Sequence, residues 1–123
     1  DDIVNCSEPG NSLKGANDIS SGYVHACVSL GSEKSVACWG ESFYGRLGDN
    51  GTHNEIVPVR TKTGDQQSES KNLDAVSQIS LGSNFSCALH DDFKASCWGN
   101  DYSGQLGNKE RINLLIPGYV SAY

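Results

Sequence analysis

Apolar and polar residues alternate over short stretches of this chain, which is the pattern of half-buried β-strands. In the segment His25–Leu30, the histidine, cysteine and serine fall on one face, and the alanine, valine and leucine fall on the other. Glycine-rich segments separate such stretches, and no segment carries a convincing apolar stripe with helical spacing. The pattern therefore predicts an all-β protein built from short strands.

The whole pattern occurs twice, about sixty residues apart. The segment Ile19–Cys27 is matched by Ile79–Cys87, and Cys38–Gly48 is matched by Cys97–Gly107. A repeat of this size is a supersecondary unit that buries its apolar face only by stacking on a neighbouring unit. The repetition predicts two equivalent sheets that pack against each other.

We assign residues 1–123 to a single domain. The first repeat covers residues 18–59 and the second covers residues 77–117, with four short strands expected in each. Residues 60–76 connect the repeats, and their polar composition predicts a mobile surface loop that buries nothing.

Four of the five cysteines lie in the repeats. A short turn folds the strand that holds Cys27 back onto the strand that holds Cys38, and the second copy places Cys87 opposite Cys97 in the same way. Opposed residues of antiparallel strands come within disulfide range. We therefore predict the disulfides Cys27–Cys38 and Cys87–Cys97, with two pairs of small buried thiols as the alternative. Disulfides predict a secreted or cell-surface protein.

Charge and hydropathy exclude several classes of partner. The formal net charge is −6, and the nine Lys and Arg residues are scattered singly, so no basic face is available for nucleic acid. No apolar run reaches the roughly 18 residues of a membrane helix, so no membrane insertion is expected. The fifth cysteine, Cys6, lies outside the repeats, and we expect it to bond to another chain or to a partner lost by truncation.

The repeated motifs resemble those of the regulator of chromosome condensation repeat family. They are the Cys-Trp-Gly segments Cys38–Gly40 and Cys97–Gly99, each followed by Gly-x-Leu-Gly. The first copy departs from the family pattern at Glu41, where Asn is usual, and at Arg46, where Gln is usual. The second copy has Phe85 where the family has His. The resemblance implies four-stranded blades arranged radially as a β-propeller. It also implies a binding scaffold whose function lies in its variable loops.

Propellers use about 4–8 blades, so two blades cannot close a ring. Two blades side by side expose sheet edges and an apolar wall, which favours association. The chain is then either a part of a longer propeller or one of several chains that assemble a ring. We expect a homotrimer with six blades, because a threefold arrangement closes a head-to-tail interface.

Positions at which the two copies differ are candidates for function, because a residue that only supports the fold should be similar in both. Glu41 and Arg46 flank a tight loop, where they form either a polar recognition pair or a surface salt bridge. His25 is expected to be a core histidine bonded to a backbone carbonyl. Trp39 and Trp98 occupy equivalent positions, which favours blade packing over sugar stacking.

The expected binding site lies on the loops at one rim. Its eight residues are Glu41, Tyr44, Arg46, Asp49, Asn50, His53, Tyr102 and Gln105. The sequence predicts an extracellular adhesin or lectin-like tip that recognises cell-surface glycans through them. The alternative is a protein-binding propeller scaffold, such as a secreted inhibitor or a receptor fragment. No nucleophile elbow, phosphate loop or complete metal motif occurs, so no enzyme, cofactor or metal is expected.

Overall fold

Each copy of the repeat folds into one four-stranded antiparallel sheet in the computed structural model, which describes residues 12–63 and 71–122. The first sheet consists of β1 (Ala16–Ser21), β2 (His25–Leu30), β3 (Ser35–Gly40) and β4 (Glu55–Arg60). The second consists of β5 (Val76–Leu81), β6 (Phe85–His90), β7 (Ala95–Gly99) and β8 (Leu114–Tyr119). Both sheets have their strands in sequence order. The prediction of an all-β fold with two four-stranded blades is confirmed.

The central hairpin of each sheet is closed by a disulfide. In the first sheet Cys27 lies directly opposite Cys38, and in the second Cys87 lies directly opposite Cys97. Both pairs are bonded, so the predicted disulfides are confirmed. Each sheet therefore has a disulfide face, which carries this bond, and a tryptophan face on the other side, which carries Trp39 or Trp98.

The two sheets pack with the disulfide face of the first against the tryptophan face of the second. Side chains from both sheets form one buried cluster, which includes Cys27, Cys38, Leu47, Ile79 and Trp98. Apolar side chains on two facing sheets interdigitate in this way when the mean strand directions are aligned. The packing leaves the tryptophan face of the first sheet and the disulfide face of the second without a sheet against them in the described part of the chain.

The connector between the sheets is anchored at both ends. The Leu73 amide donates to the Thr61 carbonyl at 2.8 Å, and the Leu73 carbonyl accepts from the Val36 amide at 3.0 Å. Thr61 and Leu73 are both buried, and an isolated bridge pairs Lys62 with Asn72. The prediction that the connector buries nothing is wrong at these ends, because Leu73 supplies an apolar side chain to the core between the sheets.

The segment before β1 also contributes an apolar side chain, in this case to the tryptophan face of the first sheet. Leu13 and Trp39 both pack against a second, smaller cluster formed by Val28, Leu30 and Ala37. Cys6, whose pairing is left open by the sequence, lies outside the described residues. No helix in residues 12–63 or 71–122 is long and apolar enough to cross a membrane.

Candidate binding site at the loop rim

The loop after β3 crosses from the first sheet to the second. A single 3₁₀ turn at Phe43–Gly45 opens it, and Tyr44 and Gly45 both have positive φ, at 66° and 79°. The loop then runs along the tryptophan face of the second sheet. There the Arg46 carbonyl accepts hydrogen bonds from the Ser86 hydroxyl at 2.8 Å and from the Trp98 indole at 2.9 Å. We call residues 45–48 the Gly45 loop and the equivalent residues 104–107 the Gly104 loop.

His25 extends this network from the first sheet. Its Nε2 lies 2.9 Å from the Ser86 oxygen, whose own proton is donated to Arg46, so the histidine is the donor and carries its proton on Nε2. The prediction that His25 is a buried core residue is confirmed. The predicted partner is wrong, because a serine hydroxyl of the other sheet takes the place of a backbone carbonyl.

The network keeps His25 uncharged. Burial, together with the nearby positive charge of the Arg46 guanidinium, lowers the pKa of His25 from 6.5 to about 4. Its buried Nδ1 has no hydrogen-bond partner among the described residues, so a second proton there would be a charge without an acceptor.

Acid is therefore expected to weaken the fold through His25. The unfolded chain binds a proton below about pH 6.5, whereas the folded protein binds it only below about pH 4, so stability falls between these values. At 1.36 kcal/mol per pKa unit, we expect a loss of roughly 3 kcal/mol. Urea unfolding at pH 7 and pH 4, on the wild type and on His25→Phe, measures it.

His25→Phe is the matched control, because the second sheet carries Phe85 at the equivalent position. Carboxylates titrate alike in both proteins, so the difference between their pH profiles isolates the imidazole. Parallel profiles for the two proteins would refute the assignment of His25 as the acid-sensitive group.

Arg46 is a buried contact between the sheets and is not accessible to a ligand. Its exposed fraction is 4 %. The guanidinium donates from Nε to the Phe43 carbonyl at 2.9 Å and from Nη1 to the Ser83 carbonyl at 3.3 Å. Burial lowers the pKa of Arg46, while Glu41 and Tyr44 raise it. The structure corrects the sequence assignment, which placed Arg46 among the ligand-binding residues.

Glu41 and Arg46 do form the predicted pair, with Oε1 and Nη2 3.8 Å apart. The arginine side chain is 5 % exposed and the glutamate side chain is 35 % exposed. The alternative of a simple surface salt bridge is therefore wrong for the arginine end. Glu41 reaches solvent at the rim, and its backbone amide is fixed by a 2.9 Å hydrogen bond to the Val24 carbonyl.

Three aromatic side chains meet at the rim, and we call them the aromatic rim. Tyr44 from the first sheet contacts Tyr102 from the second edge-to-face, with ring centroids 6.0 Å apart. Phe43 lies beside Tyr44 at 6.1 Å. Phe43 is 62 % exposed and Tyr102 is 67 % exposed. The structure thus brings two of the predicted site residues together and adds Phe43, which the comparison of the two copies missed.

The remaining predicted residues support the loops or face solvent. The Asp49 carboxylate accepts from the Gly51 backbone amide at 3.2 Å, and the backbone amide of Asn50 donates to the Leu115 carbonyl at 3.0 Å. His53 is exposed. The Gln105 side chain donates to Asn100 at 3.1 Å and accepts from the Ser103 amide at 2.9 Å. Among the described residues, no group of three His, Cys, Asp or Glu side chains is arranged to hold a metal ion.

A cleft of about 280 Å³ opens at the same end of the first sheet. It is lined by residues 21–26, which comprise the β1–β2 turn and the adjoining strand ends, and by Trp39 and Gly40. The sequence prediction missed this cleft. Trp39 and Trp98 occupy equivalent positions in the repeat. The sequence therefore gives no sign that Trp39 lines a cleft whereas Trp98 is fully buried.

The two face-packed four-stranded sheets, joined by a loop that reaches from the first sheet to the second, define a repeat protein of the β-propeller class. Family models described as the regulator of chromosome condensation (RCC1) repeat match residues 35–89 and residues 76–105. The chain belongs to the RCC1 repeat family. The match over 35–89 begins at β3 and ends in β6, so the sequence repeat of the family spans parts of two neighbouring sheets.

The similarity extends to individual proteins. X-linked retinitis pigmentosa GTPase regulator is 40 % identical over 48 residues in Mus musculus and 39 % identical over 46 residues in Homo sapiens. These matches cover 39 % and 37 % of this chain, but only 5 % and 4 % of the respective relatives. The chain therefore corresponds to a small part of either relative.

Solved structures share the fold. Human WBSCR16 superimposes with a TM-score of 0.70 and 24 % identity over 87 % of this chain and 26 % of its own. Prp20p from Saccharomyces cerevisiae superimposes with a TM-score of 0.65 and 17 % identity, also over 87 % of this chain and 26 % of its own. The chain thus spans about a quarter of each of these structures.

Proposed function

We propose that this chain is a protein-binding propeller segment, without catalytic activity of its own, whose partner contacts the aromatic rim. The observation that carries the proposal is the cluster of Phe43, Tyr44 and Tyr102, in which two side chains are largely exposed at the junction of the sheets. Tyrosine and other aromatic residues are enriched at protein interfaces, where they supply much of the binding energy.

The immediate surroundings of the rim suit a protein partner. The Glu41 side chain, which pairs with Arg46, is partly exposed to solvent, and the whole chain carries a net charge of −6. Acidic groups around an aromatic centre favour a partner with a basic or mixed-charge surface, and they increase its association rate.

Relatives of this chain are described with protein partners. The structure of Prp20p is presented with its binding properties to Gsp1p and histones, and another structure shows Kap60 bound to yeast RCC1 (Prp20). The latter superimposes with a TM-score of 0.59 and 19 % identity. We transfer only the general character of these interactions to this chain.

Glycan recognition, which the sequence favours, has less support from the rim. Arg46 is buried and bonded to two carbonyls, and the Asp49 carboxylate is used within its own turn. Asn50 and His53 remain at the surface. A sugar site needs several convergent polar groups beside an aromatic face, and two of the expected groups are already occupied.

To test the proposed protein binding, we would measure binding of the chain to purified Gsp1p and to core histones by biolayer interferometry, with a glycan array in parallel. We expect binding to at least one of the proteins and a silent array. Tyr102→Ala should weaken the protein interaction at least about tenfold, as expected for a central aromatic contact. Phe93→Ala is the matched control, since Phe93 is an exposed aromatic residue at the opposite end of the second sheet.

Two results would refute the proposal. One is a glycan signal that Tyr102→Ala abolishes while neither protein binds. The other is equal weakening of protein binding by Tyr102→Ala and Phe93→Ala, which would indicate non-specific adhesion through aromatic surface.

We further propose that the chain works in an oxidising compartment. The two disulfides support this, since such bonds are rare in proteins of the reducing cytosol. Mass spectrometry of the alkylated native protein would detect the two bonds, and four free thiols in the repeats of protein isolated from its source would contradict the proposal.

A further inference from the structure

Two equivalent loops of this chain have different surroundings. A Cβ atom placed on Gly45 would meet the Leu115 side chain, would lie 2.7 Å from the Leu115 Cα and would lie 2.9 Å from the Leu114 carbonyl oxygen. A Cβ atom placed on Gly104 would have no described atom within 4 Å. The Gly45 loop is therefore docked on the next sheet. Gly104 has nearly the same φ but no neighbouring sheet beside it among the described residues, although Leu106 of its loop is buried.

The site that receives such a loop is also present twice. On the second sheet, Ser83, Ser86 and Trp98 all bond to Arg46 of the docked loop. The equivalent positions on the first sheet are Tyr23, Ala26 and Trp39, and they line the 280 Å³ cleft. The cleft thus lies where the first sheet would bind the loop of a neighbouring sheet, and no described loop occupies it.

Two apolar side chains of the first sheet are exposed to solvent, and a docked sheet would cover them. Ile56 is 98 % exposed, and its equivalent in the second sheet is Leu115, the residue that the Gly45 loop contacts. Ile19 is 66 % exposed, whereas its equivalent Ile79 is buried between the sheets. A β-branched aliphatic side chain that is fully exposed on a strand is unfavourable, and the same position is covered wherever a sheet is docked.

The open faces complement each other chemically. Inside the chain, His25 on the disulfide face bonds to Ser86 on the tryptophan face. At the same positions on the two open faces, the residues are Phe85 and Ala26. The internal contact is polar on both sides and the open positions are apolar on both sides, so packing one open face on the other buries no unpaired hydroxyl or imidazole.

We infer that a second copy of this chain docks here, head to tail. The open disulfide face of one copy packs on the open tryptophan face of the next, and the Gly104 loop enters the cleft. The Trp39 indole of the second copy then donates to the Gln105 carbonyl, as Trp98 donates to Arg46. Gln105 replaces the buried arginine with an uncharged side chain, so this contact desolvates no charge.

Backbone groups at the open edges are also complementary. In the internal interface the Leu81 amide donates to the Ser20 hydroxyl at 3.1 Å. The equivalent pair between copies is the Ser21 amide and the Ser80 hydroxyl. Because each copy adds two blades, closed rings of two, three or four chains contain 4, 6 or 8 blades, all within the range that propellers use. The predicted trimer is one member of this series.

Sedimentation equilibrium of the full chain, from about 1 to 500 μM, tests this inference. We expect the mass to rise above the 13.1 kDa of one chain as the concentration increases. Ile56→Asp should weaken association at least about tenfold, because it places a charge in the apolar contact. Gly104→Ala should weaken it similarly, because its Cβ would occupy the space that the backbone of the next copy needs.

Ile112→Asp is the matched control. Ile112 is exposed, and its equivalent in the docked loop region, His53, stays exposed although a sheet is packed beside it. This variant should associate like the wild type. Trp39 fluorescence provides a second measurement, since docking should shift its emission to shorter wavelength while the fully buried Trp98 contributes a constant signal.

Each contrary outcome overturns the inference. A wild-type mass that stays at 13.1 kDa up to about 500 μM would show that a second copy does not occupy the cleft, and would leave it to a different blade. Association that Ile56→Asp and Gly104→Ala do not weaken would show that the chain self-associates through a different surface. Equal loss in Ile112→Asp would indicate a general effect of added negative charge.

Discussion

Trp98→Ala is expected to lower the free energy of unfolding by about 4 kcal/mol, the usual cost of removing a large buried aromatic side chain. Trp98 is fully buried between the sheets, and its indole donates to the Arg46 carbonyl at 2.9 Å. The variant loses both the packing and one donor of the buried network. Urea denaturation at concentrations at which the chain is monomeric measures the loss.

Trp39→Ala is the matched control for this prediction. The same residue type lies at the same position of the repeat, but in the monomer Trp39 is only partly buried beside Val28 and Ala37. We expect its replacement to cost about 1–2 kcal/mol, in proportion to the smaller apolar area that it buries. Equal losses in the two variants would mean that the interface between the sheets does not determine the contribution of the tryptophan.

Gly45→Ala is expected to cost about 4 kcal/mol, for two additive reasons. Gly45 has φ 79°, a conformation that costs an L-residue roughly 1–2 kcal/mol. The added Cβ would also overlap the β8 backbone at Leu114 and Leu115, and overpacking of this kind typically costs about 1–3 kcal/mol. Thermal and urea unfolding of the monomer would both report the loss.

Gly104→Ala separates these two reasons. Gly104 has φ 75°, nearly the same as Gly45, but a Cβ atom there would have free space among the described residues. The monomer should therefore lose only the conformational part, about 1 kcal/mol. If both variants lost the same amount, the close approach of the Gly45 loop to β8 would not be a determinant of stability.

Much of the fold follows from the sequence because it is encoded locally. The alternation in His25–Leu30, the turns and the placement of Cys27 opposite Cys38 all depend on residues within a single hairpin. The errors concern contacts between sheets. The sequence assigns Arg46 to a ligand-binding surface. In the structure its guanidinium instead donates to a carbonyl that is distant in sequence, that of Ser83.

The candidate site was predicted in part for the same reason. Tyr44 and Tyr102 were identified from their equivalent loops, but their edge-to-face contact exists only because the two loops lie side by side at the rim. Phe43 and the cleft beside Trp39 were missed, since nothing in a single repeat distinguishes a side chain that faces a neighbour from one that faces solvent.

The sequence by itself determined the strands, the hairpins, the disulfide pairs and the presence of two equivalent sheets, because these depend on short-range periodicity and spacing. Only the tertiary structure decided which member of each equivalent pair is buried: Trp98 and not Trp39, Arg46 and not Gln105, Gly45 and not Gly104. The physical reason is that each sheet has one neighbour, on opposite faces in the two cases. Burial depends on that neighbour, whereas the repeated pattern is the same in both copies.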